Sequence, residues 1–307
     1  MSAAWVAATV RVRALAAGRA GPAGAARVAA AGSLAEVGEL FSHWSYGSRV
    51  TDPTTPGGLQ RATRETLLWQ YRVLAGWTPP RETKILRAAA MEFERDNILM
   101  RLRELEGGRL ESPYALGALD TSWGLVRHAE SPEVLRELLA ATGWGEAPAD
   151  GQGQLADVLS ATWLATVARE VPVTAPSASR HAALIAARVR FVDLAEPCAE
   201  LRRRLRPLLG SGWEPVEDLP GFVAALPREA REVFAGVSAP HELWRAESHL
   251  YGLMEAEATA LLRSGTPSAE VVAAGLALLA ADAWRIQAAV AAVESGRAAW
   301  EVLDAAS

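Results

Sequence analysis

The densest group of metal-ligand types in the sequence is His241, Glu242, Glu247 and His249, all within one predicted helix. The two histidines are eight residues apart, about two helical turns, so they cannot bind one ion without a ligand from another element. We therefore interpret this group as a solvated helix face. The single cysteine, Cys198, excludes a cysteine-based zinc cluster and an intrachain disulfide, which favours a reducing compartment.

The motifs of common catalytic sites are also incomplete. A phosphate loop needs Gly-Lys-Ser/Thr after a glycine-rich turn, whereas the only lysine, Lys84, lies inside a predicted helix. The string closest to a Gly-x-Ser-x-Gly nucleophile elbow begins with His43 and ends a helix instead of following a strand. A terpenoid cyclase needs an aspartate-rich metal motif on a helix, and Glu217-Asp218 has no third carboxylate nearby. The sequence thus predicts no catalytic residue, cofactor or metal, and no enzymatic activity.

One polar residue lies where an apolar residue is expected. Asn97 follows Phe93 by one turn, on the apolar face of a helix predicted over residues 82–106. Glu94 and Arg101 flank it at about one turn on either side. Because a buried Asn needs partners for its carbonyl and its amide group, we predict that Asn97 is hydrogen-bonded to a neighbouring helix or loop. The alternative is a half-exposed position at the edge of the helix.

The elements that position these residues are predicted to be helices, since helical periodicity dominates and no convincing alternating strand pattern occurs. Ser33 and Glu36 have the spacing of a capping box, and Ser131 followed by Pro132 marks a second helix start. The sequence therefore predicts an all-α protein. The other long predicted helices cover residues 59–76, 82–106, 155–170, 178–209 with a break at Pro197, 241–263 and 268–294.

A weak internal repeat divides the chain into thirds. Residues 39–47 align with residues 137–145 at an offset of 98, and the same offset carries Phe93 onto Phe191. A fainter third copy begins near Leu219. Chance similarity among Ala- and Leu-rich helices is the alternative. The prediction is three related helical units, here called repeat 1 (residues 1–110), repeat 2 (111–210) and repeat 3 (211–307).

Charge and hydropathy restrict the partners. The chain has 31 basic and 36 acidic residues, a net charge of -5, which gives no global electrostatic reason to expect nucleic-acid binding. The longest strongly apolar run, Val271 to Ala281, ends at Asp282 and is shorter than the roughly 20 residues that a membrane-spanning helix needs. Arginines interrupt the Ala-rich N-terminal segment, which argues against a secretory signal. We expect a cytoplasmic protein without a membrane span.

The helix around Asn97 resembles a motif of the V/A-type rotary ATPases, found in their C-type subunit, the socket of the central stalk, and more distantly in the d-type subunit of the eukaryotic enzymes. That family has three related helical units, each ending in a helix with an acidic-x-x-Asn-Leu/Ile-Arg-like core and a trailing Gly. Repeat 1 here reads Glu92-Phe-Glu-Arg-Asp-Asn97-Ile-Leu-Met-Arg101-Leu-Arg103-Glu-Leu-Glu-Gly-Gly108. The opening segment Val10–Leu15 and the helix that ends in Tyr46-Gly47 are also similar to the start of the family.

The later copies depart from this pattern. Repeat 2 has Ala195-Glu196-Pro197 where the Asn and its neighbours would stand. Repeat 3 has Asp282-Ala-Trp284-Arg285-Ile286 in the corresponding place. These departures leave open a protein that derives from the family and has lost its place in the motor.

The resemblance implies a pseudo-threefold, funnel-shaped socket that links the central shaft of a proton- or sodium-translocating ATPase to the membrane ring of proteolipid subunits. It implies a non-catalytic rotor subunit, peripheral to the inner membrane on its cytoplasmic face, with Glu94, Asn97 and Arg101 as structural residues. Aromatic anchors are typical of such joints, so we expect Trp44 and Trp144 at the interface. The alternative is a soluble helical enzyme or ligand-binding protein with a dispersed site. Its candidate residues are His43, His128 and His249.

Overall fold

The structure, a computed structural model, describes residues 4–148, 152–263 and 266–295. Throughout these ranges the regular elements are helices and no strand occurs, which confirms the all-α prediction. In chain order the α-helices are α1 (Ala4–Ala17), α2 (Gly21–Ala29), α3 (Leu34–Ser42), α4 (Pro56–Trp77), α5 (Lys84–Leu105), α6 (Trp123–Val126), α7 (Pro132–Ala140), α8 (Gln152–Glu170), α9 (Ala175–Phe191), α10 (Ala199–Leu209), α11 (Leu219–Ala225), α12 (Arg228–Arg231), α13 (Leu243–Arg263) and α14 (Ala269–Ser295).

The helix starts follow local sequence signals. Ser33 Oγ accepts the Glu36 amide at 3.2 Å, and Ser131 Oγ accepts the Val134 amide at 3.3 Å, so both predicted caps form. The Glu36 carboxylate accepts from the amide of Gly32 at 2.8 Å, one residue before the expected donor. These caps begin α3 and α7, which have nine residues each and start 98 positions apart, the offset of the sequence repeat.

One predicted break is confirmed and one boundary differs from the sequence predictions. The region expected to be helical over 178–209 with a break at Pro197 is two helices, because α9 ends at Phe191 and α10 begins at Ala199. The helix expected from His241 begins at Leu243, after a short 3-10 turn over Pro240–Glu242. Helices α1 and α2 were not predicted from the sequence, although Pro22 lies in the first turn of α2, where proline favours a helix start.

The chain divides into two compact units. Met1–Glu82 and Ser248–Ser307 form one, here called the terminal unit, and Thr83–Glu247 forms the other, the central unit. The division into three related repeats, and the funnel that the resemblance implies, stay predictions.

Helix α14 is the core helix of the terminal unit and packs against α1, α2 and α4. The contact with α1 requires glycine at position 275, because a Cβ there would lie 2.0 Å from a methyl group of Val12. Further along α14, Ile286 and Val290 pack on Val37 and Phe41. The α2 and α3 segment is therefore attached to the second half of α14.

By length and composition, α14 is also the one described helix that could cross a membrane. Its most apolar stretch is 56% buried within the structure. The helix includes Asp282 and Arg285, both almost fully buried. The apolar composition of α14 is thus accounted for by its contacts in the core of the terminal unit.

In the central unit, α8 packs against both α5 and α9. Helix α10 packs against α8 and α9. A cluster of fully buried side chains joins α5 to α7 and α8 and includes Ile98, Leu135, Leu139 and Trp144. This cluster fixes the apolar face of α5, the helix that carries Asn97.

Candidate functional site

Asn97 is fully buried and forms two hydrogen bonds with the backbone of Tyr114. Its Nδ2 donates to the Tyr114 carbonyl at 2.9 Å, and its Oδ1 accepts from the Tyr114 amide at 2.6 Å. The Tyr114 ring meets Phe93 edge to face, with centroids 5.4 Å apart. The side chain therefore ties α5 to the loop that follows it, in agreement with the expectation from the apolar face of the helix.

Glu94, one turn earlier on α5, is also fully buried. Its carboxylate accepts from the Thr121 amide at 2.9 Å, from the Thr121 hydroxyl at 2.8 Å and from Trp144 Nε1 at 2.9 Å. Donors that surround a buried carboxylate offset much of its desolvation cost. This carboxylate joins α5 to the segments just before α6 and just after α7, and we call the group the Glu94 cluster.

Arg101 is the third residue of the motif and is partly buried. It donates to the Ala129 carbonyl at 2.6 Å and pairs with Glu104 at 2.7 Å. Glu94, Asn97 and Arg101 thus bond to three different points of the chain between α5 and α7. Their observed role is to hold this segment against α5.

Trp144, expected at an interface, is fully buried in the core of the central unit. Besides its bond to Glu94, its carbonyl accepts from Arg204 Nη2 at 3.0 Å. Gly145 follows with φ +71°, and a Cβ there would lie 2.0 Å from that same nitrogen. Of the two tryptophans expected at the interface, the structure leaves only Trp44 partly open to solvent.

A second buried carboxylate has a matching set of donors in the terminal unit. Asp282 of α14 accepts from the Gly21 amide at 2.6 Å, the Ala20 amide at 3.1 Å and the Tyr46 hydroxyl at 2.6 Å. The two amides lie at the N-terminus of α2, where free N–H groups and the helix dipole favour an anion. Burial and the adjacent Asp282 carboxylate raise the pKa of Tyr46 well above its usual range. We call this group the Asp282 cluster.

The two clusters share one design. In each, a carboxylate on a long helix accepts a backbone N–H near the start of a short helix and a side-chain N–H or O–H from a buried aromatic residue. The aromatic residues, Tyr46 and Trp144, are 98 positions apart, which is again the repeat offset. The two aromatic residues therefore occupy aligned positions of the segments 39–47 and 137–145.

A third buried aromatic residue, Trp213, follows α10 in the central unit. Its indole donates to the Gly210 carbonyl at 3.0 Å and not to a carboxylate. Arg190 of α9 instead donates to the carbonyls of Trp213 and Glu214, at 2.9 and 3.1 Å. The segment that carries Trp213 is therefore also held against a long helix, but by an arginine and backbone carbonyls instead of a carboxylate.

Another buried charge lies in the terminal unit. Arg285, one turn after Asp282, donates to Glu255 of α13 at 2.5 Å, and Arg19 pairs with the same carboxylate at 3.3 Å. The Arg285 side chain is only 3% exposed. This ion pair links α14, α13 and the segment after α1.

The residues proposed for a dispersed site lie on separate elements. His43 and His128 are exposed in the loops after α3 and α6, and His249 lies on α13. Among the residues that the structure describes, no group of three or more His, Cys, Asp or Glu side chains is arranged to hold a metal ion. A surface cavity of about 400 Å³ in the central unit is lined by Arg202 and Glu214 among others.

Two charged residues of that cavity, Arg202 and Glu214, are engaged with the protein itself. Arg202 donates to the Pro197 carbonyl at 2.6 Å, and Glu214 accepts from Arg206 at 2.8 Å. The Arg206 guanidinium lowers the pKa of Glu214, chiefly through this hydrogen bond. The third charged residue of the lining, Glu196, is exposed, so the cavity presents a single carboxylate and not the convergent set of polar groups that defines a ligand site.

Neither the models of known protein families nor the curated proteins include a match to this chain.

The pairing of Tyr46 with Asp282 was not predicted from the sequence. The available signal was a single carboxylate directly after the apolar run Val271–Ala281, in the interior of a long apolar helix. A buried charge in such a position needs donors. Which residues provide these donors depends on the packing of elements that lie 236 residues apart in the chain.

Proposed function

We propose that this protein is a non-catalytic central-stalk subunit of a V/A-type rotary ATPase, similar to the C-type subunit of that family. In this role it links the central shaft to the proteolipid ring and transmits torque without chemistry of its own. The observation that carries the proposal is which of the predicted repeats each buried aromatic residue contacts.

These contacts follow a cycle, in which each of the three predicted repeats contacts the repeat before it and repeat 1 contacts repeat 3. Tyr46 of repeat 1 contacts Asp282 of repeat 3, and Trp144 of repeat 2 contacts Glu94 of repeat 1. Trp213 of repeat 3 contacts Arg190 of repeat 2. Each repeat thus packs its aromatic segment on a helix of another repeat, namely α14, α5 and α9, and α14 joins repeat 3 to repeat 1. This connectivity is what a pseudo-threefold socket requires, and it supports the funnel arrangement.

The contacts also suit a mechanical role. A torque adaptor must resist deformation, and fully satisfied buried hydrogen bonds fix the relative position of the helices that they join. The Glu94 and Asp282 clusters each join one long helix to two short segments. Close-packed side chains around Trp144 and Phe41 add rigidity.

The proposal places the protein at the cytoplasmic face of the inner membrane through its partners. The net charge of -5 opposes adsorption to anionic lipid. The proteolipid ring, a protein surface, is therefore the proposed membrane contact, and the shaft subunits are the second proposed partner.

Affinity purification from the native organism tests this proposal. We expect a tagged chain to recover the shaft and catalytic subunits of a rotary ATPase from gently solubilised membranes. A tagged unrelated cytoplasmic protein is the control. Recovery of the chain without any rotary ATPase subunit, at an expression level equal to the native one, would contradict the proposal.

A further inference from the structure

Two arginines of the terminal unit lie over the faces of tryptophans. The guanidinium carbon of Arg27, on α2, is 5.7 Å from the centroid of the Trp44 ring. That of Arg49 is 4.9 Å from the centroid of the Trp69 ring on α4. Both distances are within the range of cation–π attraction. We call these four residues the Arg–Trp surface.

The segment from Trp44 to Arg49 connects the two pairs. The Trp44 carbonyl accepts from the Gly47 amide at 3.2 Å, and the Tyr46 carbonyl accepts from the Arg49 amide at 3.1 Å. Tyr46, between them, is anchored to Asp282 by its hydroxyl. The Asp282 cluster therefore fixes the backbone that carries Trp44 and Arg49, so the surface is organised before any partner arrives.

Both cations are without a carboxylate partner among the described residues. Arg27 is exposed, and Arg49, which is partly exposed, donates to the neighbouring Ser48 hydroxyl at 2.9 Å. Guanidinium groups bind carboxylates in a bidentate geometry, and stacking on an aromatic face holds the group in place for this. Arg and Trp are also the residue types that dominate binding energy at protein interfaces.

Repeat 2 does not carry this surface. At the offset of 98, the positions of Arg27, Trp44 and Arg49 are occupied by Leu125, Thr142 and Ala147. A shaft without threefold symmetry cannot make the same contacts with three related repeats. At an offset of 196, repeat 3 has Val223, Pro240 and Arg245 in these positions, so neither other repeat carries the full set, and this difference gives such a shaft a single preferred orientation.

We propose that the Arg–Trp surface binds an acidic segment at the foot of the central shaft and sets the rotational position of the shaft in the socket. This inference rests on the proposed function, since it takes the shaft as the partner. Positive charges at an interface with an acidic segment raise the association rate and make it depend on ionic strength.

The test is surface plasmon resonance on immobilised shaft subunits of the same organism, across a range of salt concentrations. The variant Arg27→Glu with Arg49→Glu is expected to bind at least about tenfold more weakly and with a smaller salt dependence. The control is Arg228→Glu with Arg231→Glu, which changes the net charge equally at two exposed arginines of α12. We expect the control to bind like the unmodified chain. Far-UV circular dichroism of all variants verifies folding.

The outcomes separate the inference from the proposed function. If the unmodified chain does not bind the shaft subunits, the proposed function fails, and this inference with it. If the unmodified chain binds and the double variant binds equally well with the same salt dependence, the inference alone is overturned. A second result also overturns the inference. If the unmodified chain binds phosphatidylserine vesicles, and the double variant loses this binding but keeps binding to the shaft subunits, the surface binds lipid headgroups.

Discussion

Trp144 donates its indole N–H to the buried carboxylate of Glu94 at 2.9 Å. This bond joins a segment after α7 to the middle of α5, 50 residues earlier in the chain. Its counterpart in the terminal unit joins Tyr46 to Asp282 across 236 residues. The two bonds give the acidic residues of α5 and α14 a structural role, because each holds an aromatic segment against a long helix.

Replacing Glu94 by Gln is expected to destabilise the protein by about 1 to 3 kcal/mol, because one acceptor oxygen becomes an NH₂ group that faces N–H and O–H donors. The measurement is the free energy of unfolding in urea. Glu106→Gln, at the exposed C-cap of the same helix, is the matched control and should unfold like the parent. Equal unfolding midpoints for Glu94→Gln and the control would contradict the role of the Glu94 cluster.

Asn97→Ala should lower the free energy of unfolding by about 1 to 3 kcal/mol, since the carbonyl and the amide of Tyr114 would both lose their partner. Asn97→Asp should cost at least as much, because it buries a charge and turns a donor into an acceptor. Thermal and urea unfolding measure both effects, with Arg103→Ala on the exposed side of α5 as control. Variants that melt together with the parent would show that the two hydrogen bonds contribute nothing.

We expect the Tyr46 hydroxyl to lower the free energy of unfolding as the pH rises in the alkaline range. Burial and Asp282 raise its pKa above the value of about 10 that it has in the unfolded chain. A group with a raised pKa in the folded state contributes stability below the unfolded pKa and loses it as the pH rises further. Urea unfolding between pH 8 and about 11 should show a steeper decline for the parent than for Tyr46→Phe.

Tyr251→Phe is the control for this alkaline effect, because Tyr251 lies partly exposed on α13. Its decline should follow that of the parent. A parent and a Tyr46→Phe variant with parallel pH profiles would contradict the bond to Asp282.

His181 gives an acid counterpart in the central unit. Burial, and secondarily the charge of Arg95, lower its pKa from 6.5 to about 4. Its stabilising contribution is therefore complete above about pH 6.5, the unfolded value, and is lost as the pH falls towards 4. We expect His181→Leu to flatten the stability profile across this window, whereas His43→Gln, at an exposed position, leaves it unchanged. An NMR titration in which His181 protonates near pH 6.5 would contradict this assignment.

The sequence predicts the helices well because their signals are local. Ser33 and Ser131 cap helices through residues three positions away, and the apolar periodicity of α5 alone places Asn97 on the buried face. Contacts such as Tyr46 with Asp282 lie beyond this reach, since they depend on which helices pack together. Trp144 illustrates the same limit, because residue type favours an interface whereas packing around Glu94 buries it.

The most direct measurement is isothermal titration calorimetry of the full chain with the purified central shaft subunits of the same organism. The proposed socket predicts saturable binding with a dissociation constant in the micromolar range or below, because a stable joint buries more than about 1,000 Å². It also predicts a negative heat-capacity change from apolar burial. Absence of binding at micromolar concentrations in low salt would contradict the assignment of this chain to the central stalk.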